Sequence, residues 1–111
     1  MIILVGLFNR IPRDPQLKLN ADKFKKFKKL VKAKKYPEAL KLGLDYLEKV
    51  PYSHDVLFTL GGIYYLKNQY RSAISFFDRA LETGDTDVEV LLLKAYSHQK
   101  LQENQQIGRA H

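Results

Sequence analysis

Ser53, His54 and Asp55 are the three side-chain types of a nucleophilic relay, written in consecutive positions. Such a relay is assembled from residues distant in sequence, because neighbours on one turn cannot adopt its geometry. Ser53 reads instead as a helix N-cap, and Asp55 as a first-turn charge favoured by the positive end of the helix dipole. His54, His98 and His111 stand at no spacing that a metal ion requires, and the chain has no cysteine. Thiolate zinc sites, iron–sulfur clusters, disulfides and a thiol nucleophile are therefore excluded. His98 is expected to pack between helices with its hydrogen bond satisfied. Carboxylates are scattered, with no pair marked for acid–base work. Gly61 and Gly62 fall inside a helical pattern, so no glycine loop cradles a phosphate. The expectation is a chain without catalysis, metal or cofactor.

Charge is the next feature that can act on a partner. The 111 residues carry a net charge of +7, and residues 1–49 hold 13 basic against 5 acidic side chains. The excess lies in the run Lys23–Lys35, with Lys25, Lys29 and Lys32 on one helix face. A field of that sign attracts acidic protein segments, nucleic acid or anionic lipid, and weakens with salt. A solvated helix face is the alternative reading. The length allows one domain with a modest core, and an apolar share of 45 % suffices to fold it.

Residues 1–19 read as an apolar leader. Its stretch Met1–Phe8 is far short of the about 20 residues needed to span a bilayer, and lacks the features of a signal peptide. Pro12 and Pro15 separate it from the rest of the chain. From residue 20 the apolar period is helical, with Phe24, Phe27, Leu30 and Val31 on one side. Pro37 opens a second helix that continues through Leu40, Leu44 and Leu47 to Pro51. The spacing predicts a third helix over 55–67, followed by Asn68 in a left-handed turn, and a fourth over 70–83 ending near Gly84. Thr86 and Glu89 form a capping box that starts a fifth helix running to about Leu101. A sixth is expected to begin at Asn104.

These helices repeat. Tyr36-Pro-Glu-Ala39 recurs 34 residues later as Tyr70-Arg-Ser-Ala73, and Leu57 and Gly61 recur at the same interval as Leu91 and Ala95. The middle unit reads Leu57-x2-Leu60-Gly61-x2-Tyr64, then Ala73-x3-Phe77-x2-Ala80. The pattern resembles the tetratricopeptide repeat, with Leu57 in place of the usual tryptophan and Asp85 in place of the closing proline. Repeats are assigned to 20–53, 54–87 and a partial 88–111, so that 20–111 is the repeat domain. The first has Gly43 where the second has Phe77, and the third has His98 where Tyr64 would recur. The resemblance implies an all-α fold of antiparallel helix pairs, stacked as a short right-handed superhelix of about two and a half to three repeats.

It also implies a concave groove lined by the first helix of each pair, holding a peptide or helix of a protein partner. Helical phase assigns Phe24, Lys28 and Val31 to it from the first helix, and Phe58, Gly62 and Tyr65 from the third. Glu89, Leu92, Tyr96 and Gln99 come from the fifth. The aromatic rings are the expected anchors. Gly62, beside a glycine the core already uses, would open a slot between Phe58 and Tyr65; relief of helix crowding is the other reading. The carboxylate clamp of chaperone-binding relatives is not expected, because its places hold Phe24, Lys28, Thr59, Glu89 and Leu93.

The function read from the sequence is thus a non-catalytic, cytoplasmic interaction module or adaptor, chaperone-like by fold analogy. Its partner would offer apolar anchors with acidic flanks. Two alternatives remain open. One is a membrane-associated assembly factor using residues 1–19 with the lysine run. The other is electrostatic binding of nucleic acid, against which the aromatics are not interleaved with the lysines as stacking platforms would be. Self-association is a further open outcome.

Overall fold

The computed structural model describes residues 15–84 and 87–109. Among them are five helices: α1 (Pro15–Lys32), α2 (Tyr36–Lys49), α3 (His54–Leu66), α4 (Tyr70–Leu81) and α5 (Val88–Arg109). The all-α architecture is as expected. Each helix packs against the next in the chain, α3 also meets α5, and the backbones of α1 and α3 stay further apart, with Phe27 of α1 and Leu60 of α3 both closing on Gly43 of α2.

The first two repeats turn in the same way. Lys34 (φ 60°) and Asn68 (φ 62°) are both left-handed and stand 34 residues apart. After each, the chain closes the same loop: Lys35 N–H donates to Leu30 O and Gln69 N–H to Tyr64 O, both at 2.9 Å. These bonds satisfy carbonyls that a helix end leaves without partners. Asparagine tolerates this backbone region well, and lysine occupies it in repeat one at a cost in strain. Pro37 falls in the first turn of α2, where its missing N–H is no loss.

The core is built on a reciprocal exchange between the repeats. Gly61 on α3 lies under the Phe77 ring of α4, where a Cβ would stand 2.5 Å from Phe77 Cε1. In the first repeat the large and small residues have changed helices. Phe27 is on α1, and a Cβ at Gly43 of α2 would stand 2.7 Å from its Cε1 and 2.9 Å from Leu60 Cδ2. Phe27, Leu57, Leu60 and Phe77 are all buried, with Val56 and Ala73 closing the space around them. Gly43 is therefore a compensated change and not a weakening of the first repeat, because the summed volume in each seam is kept.

Several boundaries differ from expectation. α1 begins at Pro15, inside the stretch read as leader; residues 1–14 lie outside those described. Ser53 holds the N-cap place of α3, but its side chain makes no capping bond. Thr86 also lies outside the described residues, and α5 is capped by Asp87, whose Oδ1 accepts from Glu89 N–H at 2.9 Å. The sixth helix is corrected: α5 runs unbroken to Arg109. Residues 102–106, Gln-Glu-Asn-Gln-Gln, offer no apolar stripe to draw the chain back. Extending an existing helix by one hydrogen bond per residue then costs less than a new nucleus.

The third repeat departs most. Leu91 and Ala95, counterparts of buried Leu57 and Gly61, are exposed, and so is His98, which was expected between helices. Among the described residues no second helix covers that side of α5. α5 is held instead by fully buried Val90 and Ser97, and by the Lys94–Asp78 ion pair at 2.6 Å to α4. The Ser97 hydroxyl donates to Leu93 O.

Candidate protein-binding groove

Because α1 and α3 stay apart, a hollow of about 390 Å³ opens between them, lined by Val31, Tyr36, Phe58, Thr59, Gly62, Ile63, Tyr65, Leu66 and Leu93. Four of the groove residues assigned by helical phase meet here: Val31, Phe58, Gly62 and Tyr65. Gly62 decides the shape. A Cβ at this position would meet nothing within 4 Å, so no neighbouring helix requires a glycine there. Gly61, one residue earlier, is the packing glycine, and Gly62 is the open one.

The rings around the slot are braced from behind. Phe58 lies 6.1 Å from Phe77 and stacks on His54 at 6.5 Å with an interplanar angle of 8°. Tyr65 meets Tyr70 edge-on at 5.5 Å. Rings held this way lose little entropy when a ligand covers them. The Thr59 hydroxyl donates to Asp55 O at 2.6 Å, so its methyl is free to serve the apolar wall.

A second hollow of about 480 Å³ shares Val31 and Thr59 with the first and is walled by Phe27, Lys28, Lys29 and Lys32. The lysine run thus borders the apolar slot along α1. Lys25 is exposed on the same helix but does not line either hollow. Phe24 is turned into the α1–α2 seam, edge-on to Tyr46 at 5.7 Å, with Lys28 Nζ 4.4 Å above its ring. It is part of the packing behind the groove.

On α5, Leu92 and Tyr96 are half-exposed and Gln99 is exposed, and none of them lines the hollow. Leu93 takes the place that phase gives to Leu92. α5 turns its Val90–Leu93–Ser97 side to α3 and α4 because its other side has nothing to pack on. Helical phase misses five lining residues: Thr59 and Leu93 stand out in the sequence only as places of an absent carboxylate clamp, Tyr36 only as a repeat signature, and Ile63 and Leu66 not at all.

A larger hollow of about 680 Å³ lies elsewhere, between α1 and α2, lined by Lys26, Leu30, Glu38, Lys41, Leu42, Leu44, Asp45 and Glu48. Its charges alternate and are partly engaged. Lys23 Nζ bonds Asp45 Oδ2 at 2.7 Å, and that bond, with the attraction of the ammonium, holds the Asp45 carboxyl below its usual range. This hollow carries five charged side chains on its wall, whereas the hollow over Gly62 carries none.

The relay-like triplet is also placed. His54 turns away from Ser53: its Nδ1 lies 3.1 Å from Ala80 O and 3.0 Å from Thr83 Oγ1, and its Nε2 lies 3.4 Å from Asp87 Oδ2. The imidazole is a brace joining the start of α3, the end of α4 and the cap of α5. Among the described residues no group of three or more His, Cys, Asp or Glu could hold a metal ion, and no helix is long and apolar enough to cross a membrane. No curated protein matches the chain. Residues 30–107, from the end of α1 through nearly all of α5, match the family described as anaphase-promoting complex, cyclosome, subunit 3, a tetratricopeptide-like repeat family, and the chain belongs to it.

Proposed function

We infer that the chain binds a peptide or helix of another protein in the hollow between α1 and α3. Families of tetratricopeptide-like repeats are in general non-catalytic scaffolds for protein–protein interaction. The observation that carries the reading is the vacant space over Gly62, walled by Val31, Phe58 and Tyr65. A glycine inside a helix costs about 1 kcal/mol relative to alanine, and here packing does not require it. An apolar side chain of the partner would fill that space, and acidic residues beside it would meet Lys28, Lys29 and Lys32.

The test is selection from a displayed library of random peptides on the wild-type protein and on Gly62→Leu, at low and high salt. The expected consensus is an aliphatic or aromatic anchor flanked by Asp or Glu, lost in Gly62→Leu. High salt should weaken the acidic preference and spare the anchor. Phe58→Ala or Tyr65→Ala should cost about 1–2 kcal/mol of affinity. Peptides selected equally well by Gly62→Leu would refute the slot. Ligands enriched only at low salt, with no apolar anchor, would move binding to the lysine wall alone.

A further inference from the structure

α1 carries a charge that its own fold does not answer. Residues 15–35 hold nine lysines and one acid, Asp22. Among the described residues, Lys23 is the one lysine of this run with an ion-pair partner, Asp45. At about 100° per residue, Lys18, Lys25, Lys29 and Lys32 fall within an arc of about 60° opposite buried Phe27. All four are exposed, and at the rise of a helix the row is about 21 Å long. Lys18 and Lys25 line none of the three hollows described above. Leu17 and Leu19 stand on the two flanks of the row at its start, each 53 % exposed. One side of α1 thus joins unanswered positive charge to uncovered apolar surface.

We propose that this face of α1 docks on an anionic phospholipid bilayer, with the lysines at the headgroups and Leu17 and Leu19 against the acyl boundary. Attachment to a bilayer surface sums the attraction to anionic lipid and the apolar area buried, and α1 offers both on one side. Residues 2–8, outside those described, add six apolar side chains next to the same end in the sequence. Other anions use only part of this surface. Single-stranded nucleic acid is held by stacking rings and arginine as well as by charge. α1 has no arginine, its Phe24 is turned into the seam against Tyr46, and its Phe27 is buried. A nucleic acid would also leave the two leucines in water. An acidic peptide seated over Gly62 meets Lys28, Lys29 and Lys32 and leaves Lys18 and Lys25 unanswered. A second copy presenting the same face sets lysine against lysine.

Vesicle flotation of the full-length protein tests this with two probes, pure phosphatidylcholine and equal parts of phosphatidylcholine and phosphatidylglycerol. The protein is expected to float with the anionic vesicles alone and to be partly released by high salt. Lys18→Glu/Lys25→Glu, changes at exposed sites, should lower that affinity by about tenfold or more. Leu17→Ser/Leu19→Ser should lower it as well, and most at high salt, where the apolar share remains. Gly62→Leu should float as the wild type does, so that loss of the hollow and loss of this face read out separately. The chain has no cysteine, so a polarity-sensitive dye can be placed at single sites. On Leu19→Cys its emission should shift to the blue with anionic vesicles, and on Ser75→Cys, an exposed site of α4, it should not. No flotation with anionic vesicles, or flotation that the lysine reversal leaves unchanged, overturns the proposal. DNA that displaces the vesicles, with Leu17→Ser/Leu19→Ser binding them undiminished, gives the face to nucleic acid and overturns it as well.

Discussion

Gly61 and Gly62 are adjacent on one helix, yet alanine should act on them in opposite directions. At Gly62 a methyl group meets nothing within 4 Å. The change then expresses only helix propensity, a gain of about 0.5–1 kcal/mol. At Gly61 the same propensity gain is set against a Cβ 2.5 Å and 2.6 Å from two carbons of the Phe77 ring. Phe77 is fully buried and packed by Ala73, Ala80 and Phe58, so the ring has no free space to enter. Overpacking of this kind costs about 1–3 kcal/mol, enough to exceed the propensity term. The propensity gain is common to both, so the two variants should differ by the overpacking cost, about 1–3 kcal/mol, with wild type between them. Urea unfolding followed by circular dichroism measures this directly, and on a domain of this size each kcal/mol moves Tm by about 4–8 °C. Gly61→Ala/Phe77→Leu, which shortens the opposing group, should recover part of the loss. Equal stability of Gly61→Ala and Gly62→Ala would refute the assignment of one glycine to packing and the other to the slot.

The same contacts set three further outcomes. Gly43→Phe alone should be severely destabilising, while Phe27→Ala/Gly43→Phe rebuilds the arrangement of repeat two; a coupling energy below about 0.5 kcal/mol in that cycle would mean the exchange is not reciprocal. Lys23→Ala should raise the Asp45 pKa back toward 3.8, read by NMR titration of the carboxyl carbon. Because the folded-state value is depressed, the Lys23 link supports the α1–α2 seam above the unfolded pKa and is lost as pH falls through the folded one. His54→Ala should cost about 1 kcal/mol and speed hydrogen exchange in the first turn of α5, since it removes the brace to Ala80 and Asp87.

The 34-residue return of Tyr36, Ala39 and Gly61 made the helix pairs legible, and the left-handed turn at Asn68 could be read from its residue type. Its twin at Lys34 could not, because lysine has no preference for that backbone and is held there by the bond from Lys35 to Leu30. Of the nine residues that line the hollow between α1 and α3, helical phase names four, Val31, Phe58, Gly62 and Tyr65. Phase failed on α5, where it assumes that every first helix has a second to lean on. Without one among the described residues, α5 is fixed by Val90 and Ser97, and Leu93 replaces Leu92 at the hollow. Phe24 was misplaced for a related reason. Its edge contact to Tyr46 and the ammonium of Lys28 above it satisfy the ring within the seam.

The gap between α1 and α3 has a thermodynamic consequence. A stack whose helices touch mainly their neighbours in the chain behaves as a row of nearest-neighbour couplings, in which an end can fray without disturbing the middle. A ligand lying across α1 and α3 joins two members of that row whose backbones do not meet and which share only the side-chain packing of Phe27 and Leu60 around Gly43. It acts as a crossbar, so saturation should merge the loss of α1 into the unfolding of the α3–α4 pair and sharpen the transition as well as displace it. The same ligand would slow exchange of α1 amides far more than those of α5.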